Sequence, residues 1–404
     1  MRHIERAAEI VHMRILFISN LYPNPHSPNA ATFSRQQITA LRNIAHVDVI
    51  APIPWPVRLR VSIPYSYTDL DMEVHHPTYF YTPKILRGLY GQFYLASIRS
   101  IAEKLLATRN YDCIYSSWLF PDGWAAAQLA SKFAIPLFVN VVGTDVNRLK
   151  MGSSVTEKAL WVVDRAQRVI AVSNNLKKTL IKFGADPQKI EVVYNGVNRS
   201  IFRPMDRNKT RINLDIPIGR TVVLFVGNLK KEKGVFELTE AFAQLVKHRT
   251  DLDLELALVG SGPCEQKLRS FLKRNGGLNR VRFVGSIPLE EVAQWMNACD
   301  VFCLPSYMEG QPNVVIEALA CQTRVVATNV GGIPELDSGQ GAIQLVNPKS
   351  VKELTVAIEG MLLRERCSTV HNSICTWQEN VQRLLKIFCL PGSIEVGNAT
   401  NSRH

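Results

Sequence analysis

A chain of 404 residues is longer than one hydrophobic core ordinarily supports, so two domains of similar size are expected. With 46% hydrophobic and 20% charged residues the composition is globular, and apolar runs such as Val222 to Val226 fall far below the roughly 20 residues of a membrane span, so no transmembrane helix is expected. The net charge of +12 points to an anionic partner, and because no zinc finger, RNA-recognition signature or dense basic block is present, nucleic acid is the weakest candidate.

The first twelve residues, MRHIERAAEIVH, are charged and lack a continuous apolar core, so they are not read as a secretory signal; Met13 reads as the natural start, because the first strand is expected to follow at once. Short β-branched runs at Arg14 to Ser19, Val47 to Ala51, Cys113 to Ser116, Leu137 to Val142, Arg168 to Val172 and Ile190 to Val193 read as buried strands. Helical-period stretches separate them, the mark of parallel βαβ architecture. Pro54 to Tyr81 reads as loop. Pro83 to Arg109 reads as an aromatic-rich helical stretch carrying Lys84, Arg87, Arg99, Lys104 and Arg109 against one acid, Glu103. Two readings of it stand side by side: a face resting on an anionic membrane, or aromatics packed on the sheet.

Around Asn195 to Pro204 the chain turns polar, which divides it into domains at 13–200 and 201–375. The second domain repeats the pattern with strands at Val222 to Val226, Leu254 to Val259, Val281 to Val284, Val301 to Leu304, Arg324 to Ala327 and Ala342 to Val346. Doubly wound sheets bind ligands beyond the carboxyl ends of their strands, so two such domains facing across a cleft are expected. TWQENVQRLLKIF, within 376–390, is an amphipathic helix with Trp377, Val381, Leu384, Leu385 and Phe388 on one face. The polar tail 391–404 is expected to be disordered. The eight cysteines, Cys113, Cys264, Cys299, Cys303, Cys321, Cys367, Cys375 and Cys389, show no framework spacing and read as reduced cytosolic thiols. Cys299 and Cys303 have no further ligand nearby, and no metal is expected.

The chemistry concentrates in SYMEGQPNVVIEALA, Ser306 to Ala320. Pro312 suits the first turn of a helix, which places Glu309 in the loop before it and Glu317 inside it. The amides of Gly310, Gln311, Asn313 and Val314 would then meet a diphosphate at the positive helix end. Glu317 can accept hydrogen bonds from ribose hydroxyls and Glu309 from a sugar. On the residues alone, a capping glutamate and a solvated helix glutamate explain the stretch as well.

The spacing of Glu309, seven residues and Glu317 resembles the paired-glutamate motif of glycosyltransferase family 4, whose fold is GT-B. FVGNLKKEKG (Phe225 to Gly234), LALVGSGP, VRFVGSIP and ATNVGGIPEL are similar to that family's nucleotide-domain turns; NLYPNPHSPNAATFSRQQ, SWLFPDGWAAAQLA, VVGTDVNRL and AVSNNLKKTL are similar to its first domain. WLFPDGWAA and VVGTDVN most resemble enzymes that build bacterial cell-surface polysaccharides. The resemblance implies a retaining, metal-independent transfer of sugar from a nucleotide-sugar donor to a glycan or lipid-linked acceptor, in the cytoplasm or peripherally at the inner membrane face. It makes Lys233 a contact of the donor diphosphate, with Glu309 and Asp145 beside the sugar or acceptor. Asn228, Gly260, Gly262, Gly285, Gly310, Gln311, Asn313, Val314 and Glu317 become donor contacts. Without it Lys233 is a surface loop lysine, the glycines are tight turns and Asp145 is a helix N-cap.

The chain departs from the family pattern with Ala30 and Ala31 in the first loop, Val142 where a histidine is common, Asn228 for an arginine, and Gln322 and Arg324 after Glu317. These departures leave open a non-catalytic nucleotide-sugar-binding homologue that partners another transferase. A hexosamine epimerase on the same fold is a further alternative, which the paired-glutamate loop disfavours.

Overall fold

The computed structural model describes residues 13–29, 31–70, 72–83, 85–274, 277–364 and 374–389. The amino-terminal twelve residues, Ala30, Lys84, Cys367 and the tail 391–404 therefore lie outside the described residues. The chain forms two compact units: residues through Tyr194 together with those from Trp377 onward, and Asn195–Thr376.

In the first unit the strands are β1 (Arg14–Ile18), β2 (His46–Ile50), β3 (Ile53–Pro54), β4 (Ser66–Asp69), β5 (Met72–His75), β6 (Thr78–Tyr79), β7 (Cys113–Ser117), β8 (Leu137–Val141), β9 (Arg168–Ala171) and β10 (Ile190–Val192). Eight of them make one sheet in the order β10-β9-β8-β7-β1-β2-β5-β4, while β3 and β6 pair separately. The sheet is parallel except at its edge, where β4 runs antiparallel to β5. Helices cover both faces, so the central strands bury every other residue in each direction: Ile15 and Phe17 of β1 enter one core, Leu16 and Ile18 the other.

The β-branched runs form strands where they were expected. Pro54 to Tyr81, expected to be loop, instead holds β4, β5, β6 and the short helix Trp55–Arg58. Its strands are short, and edge strand β4 alternates exposed and half-buried residues, so it carries no continuous apolar signal. In the stretch Pro83 to Arg109 the regular helix is Tyr90–Thr108, and it packs Tyr94, Leu95, Ile98, Leu105 and Leu106 inward. Tyr94 meets Tyr79 edge-on with ring centroids 5.0 Å apart, and Arg109 is paired with Asp48 at 2.9 Å. The inward face of this helix packs on the sheet, as one of its two readings expects.

The helix Trp377–Phe388 belongs to the first unit. Trp377, Val381, Leu384 and Phe388 join the core of Ile15 and Phe17, and the Phe388 ring lies 4.6 Å from that of Phe138. Asn380 Nδ2 donates to the Tyr194 carbonyl at 2.7 Å, so this helix also holds the residue at which the chain leaves the unit.

The second unit is built on β11 (Thr221–Val226), β12 (Leu254–Val259), β13 (Val281–Gly285), β14 (Val301–Leu304), β15 (Val325–Thr328) and β16 (Ile343–Val346), in the order β13-β12-β11-β14-β15-β16 and parallel throughout. β12, β14 and β15 are buried along their whole length. Successive strands are laid outward first on one side of β11 and then on the other, so the order reverses between β11 and β14.

Candidate active site

At such a reversal the connections leaving the two central strands diverge to opposite faces, and a crevice opens beyond their carboxyl ends. Lys233 comes from the turn after β11 and Glu309 from the loop after β14. The structure brings them together: Lys233 Nζ lies 2.6 Å from Glu309 Oε1, with the glutamate side chain only 10% exposed. A charge-assisted contact of this length fixes both side chains.

The chain is shaped to allow that approach. Gly234 closes the turn Lys231–Lys233 with φ +68°, and a Cβ there would stand 2.0 Å from the Pro305 carbonyl oxygen. Only glycine tolerates both the backbone angle and the proximity. On the other side Gly331, with φ +57°, would place a Cβ 2.0 Å from the Glu309 carbonyl oxygen. Gly332 N–H donates to Gly310 O at 2.7 Å, the Thr328 hydroxyl to Ser306 O at 2.5 Å, and Tyr307 N–H to Glu232 O at 2.8 Å. The loop carrying Glu309 is thus braced by the turn after β11 and by the turn after β15.

The helix Asn313–Ala320 follows, with Pro312 one residue before its first turn, at the capping position. No side chain caps this end, so the leading amides of the helix keep their donor capacity and the positive end of its dipole is uncompensated. Gly310, Gln311, Asn313 and Val314 lie along the approach to it. Glu317, in the second turn, is buried, its carboxyl has no hydrogen-bond partner among the described residues, and burial pushes that carboxyl up to about 8.

The remaining expected donor contacts are glycines and one exposed asparagine, Asn228. Gly260 N–H donates to Gly285 O at 2.7 Å, and a Cβ on Gly260 would meet Gly227 O at 2.1 Å. A Cβ on Gly262 would meet Leu229 O at 2.5 Å, whereas Gly285, φ +84°, faces open space. Gly260 and Gly262 therefore let the turns after β11 and β12 lie backbone to backbone, the tight-turn reading of these residues.

Asp145 lies in the first unit, after β8. Its carboxylate accepts from the backbone N–H groups of Gly143 at 3.0 Å, Val142 at 3.3 Å and Leu119 at 3.4 Å, and desolvation raises it to about 6. It organises the loops after β7 and β8. Sequence reasoning passed over Asp122, which is fully buried after β7, accepts the Asn20 N–H at 2.6 Å and is pushed up by burial to about 7. It stands at the order reversal of the first sheet, between β1 and β7, and the only sequence signal was its place within WLFPDG.

Comparison with known proteins decides the family. Residues 30–200 match the model for Glycosyltransferase Family 4, and residues 220–364 the model for Glycosyl transferases group 1. TuaC of Bacillus subtilis, named as a teichuronic acid biosynthesis glycosyltransferase, is 32% identical over 362 residues, covering 86% of this chain and 88% of that protein. The chain belongs to glycosyltransferase family 4. The D-inositol 3-phosphate glycosyltransferase of Mycobacterium ulcerans is 30% identical over 310 residues, covering 70% of this chain and 65% of that one. Among solved structures, sucrose-phosphate synthase from Thermosynechococcus elongatus superposes with TM-score 0.76 at 22% identity, covering 93% of this chain and 96% of that one. HepE of Anabaena, solved with UDP and glucose, gives 0.72 at 22% identity, covering 93% and 99%. The glycosyltransferase fold is therefore GT-B. No helix among its described residues is long and apolar enough to cross a membrane.

Proposed function

We propose that this glycosyltransferase binds a nucleotide-sugar donor on its second unit and transfers the sugar, with retention of configuration and without a metal ion, to a glycan or lipid-linked acceptor in surface polysaccharide biosynthesis. The observation that carries the reading is the Lys233–Glu309 contact of 2.6 Å beside the uncapped helix end, at the order reversal of the sheet. As the bond from sugar to diphosphate breaks, negative charge grows on the departing oxygens. Lys233 and the helix amides are donors already in place for it, which is where preorganised electrostatics lower a barrier. Glu309 holds Lys233 before the donor arrives and accepts from sugar hydroxyls afterwards. Glu317 supplies acceptor oxygens for the ribose. HepE with UDP and glucose and TuaC in teichuronic acid biosynthesis support this choice of donor and product.

A thermal-shift panel with UDP, GDP, ADP and their sugar conjugates tests it, because a ligand of the folded state raises the midpoint. A selective rise with one base, followed by transfer to an acceptor, is expected; a rise without transfer or donor hydrolysis would favour the non-catalytic homologue.

Peripheral contact with an anionic membrane belongs to the same reading, on a different surface from the helix Tyr90–Thr108. Leu59, Phe80, Ile85, Leu86 and Met151 are exposed next to exposed cations Arg60, Arg87 and Lys150. Trp55 Nε1 bonded to Tyr81 O at 2.9 Å, and the Lys158 ammonium bonded to Gly88 O, tie these segments to one another. Flotation with anionic vesicles, lost in high salt and with zwitterionic lipid, is the expected result.

A further inference from the structure

We infer that Asn195 is a positioning residue that sets the hydrogen-bond polarity of the donor loop: it occupies the acceptor oxygens of Gln311 and Asn313, so that their amino groups are what the loop presents to an anion. The inference rests on the diphosphate reading of the helix end given above, and Asn195 has no part in that reading.

Asn195 is the first residue of the second unit and is 5% exposed. Its backbone N–H donates to Gln311 Oε1 at 2.6 Å, and its side-chain amino group to Asn313 Oδ1 at 2.9 Å. A backbone N–H can only donate, so the first bond fixes which end of the Gln311 carboxamide faces Asn195. In the second bond the Asn195 amino group faces Asn313 Oδ1, which leaves the Asn313 amino group turned away from Asn195. Neither Gln311 Nε2 nor Asn313 Nδ2 has a partner among the described residues. A diphosphate offers acceptors only, and a carboxamide oxygen turned toward it would repel where an amino group attracts. With both oxygens held by Asn195, the side chains next to the helix amides present donors alone.

Calorimetry on the full chain with inorganic pyrophosphate, a probe free of base and sugar, tests the inference. Wild-type protein is expected to bind. Asn195→Ala is expected to weaken binding about tenfold, the scale of one lost oriented hydrogen bond to an anion. In an Asn313→Ala background the same change is expected to have no further effect, because Asn195's side chain acts through Asn313. Gln311→Glu keeps an oxygen for the Asn195 N–H and removes the facing donor, so it is expected to lose more than tenfold at an unchanged thermal midpoint, and it remains informative if Asn195→Ala does not fold. Affinity within twofold of wild type in Gln311→Glu, or an equal loss from Asn195→Ala in both backgrounds, overturns the inference and leaves the diphosphate site standing. No binding of pyrophosphate, UDP, GDP or ADP by wild type overturns the diphosphate site, and the inference with it.

Discussion

The two glutamates of the Ser306–Ala320 stretch have different environments and therefore different jobs. Glu309 is neutralised by Lys233, and removal of the lysine takes away a preorganised cation: Lys233→Ala is expected to lower turnover on the order of a hundredfold, read by steady-state kinetics once the donor is known. Glu317 has no counter-charge, and its carboxyl is raised by burial to about 8. The folded state therefore holds a proton there more tightly than the unfolded chain does. The stability this gives is complete below the ordinary glutamate range and is lost as pH rises through about 8. Glu317→Gln, which is neutral at every pH, is expected to gain on wild type in urea unfolding as pH rises above the ordinary glutamate range, its relative stability growing by on the order of 1–3 kcal/mol between pH 6 and pH 9. A variant equally stable relative to wild type at both pH values would contradict the assigned environment. The sequence made Glu309 and Glu317 legible through their spacing, yet their environments depend on Lys233, 76 residues from Glu309, and on the packing of a helix.

At the scale of elements, the loop holding Glu309 is only as well placed as the turns that brace it. Gly331→Ala puts a methyl group against the Glu309 carbonyl, and Gly339→Ala, at a similar φ of +73°, meets nothing within 4 Å. Both carry the backbone cost of a left-handed residue, about 1–2 kcal/mol, and Gly331→Ala adds the clash with the Glu309 carbonyl. A larger drop in thermal midpoint and a tenfold or greater loss of activity are expected in Gly331→Ala, with Gly339→Ala showing only the backbone share and no loss of activity. Buried parallel strands were readable because both faces demand apolar residues, and the run Val222 to Val226 is such a case. The strands between Ile53 and Tyr79 were not, since a two-residue pair and a half-exposed edge strand leave no run to read. The bonds from Asn195 to Gln311 and Asn313 span 116 and 118 residues and have no local signature at all.

For the whole molecule, strand order was the link between sequence and site. Alternating strands and helices implied doubly wound sheets, and the reversal between β11 and β14 is what makes the turns carrying Lys233 and Glu309 neighbours. The terminal helix was legible as amphipathic because Trp377, Val381, Leu384 and Phe388 recur at helical spacing, and all four are buried in the first unit. A chain ending at Thr376 is expected to keep a cooperatively folded second unit while the first exposes Phe17, Tyr115 and Phe138, a change that limited proteolysis would register as cleavage confined to residues before Tyr194. The same helix has a consequence for biosynthesis. Domains ordinarily fold in the order in which they leave the ribosome, but here the first unit includes the helix Trp377–Phe388 whereas the second is one continuous segment, Asn195–Thr376. The half begun first is closed only after the second unit has been made, and until the helix Trp377–Phe388 emerges its open aromatic face is what a chaperone would meet.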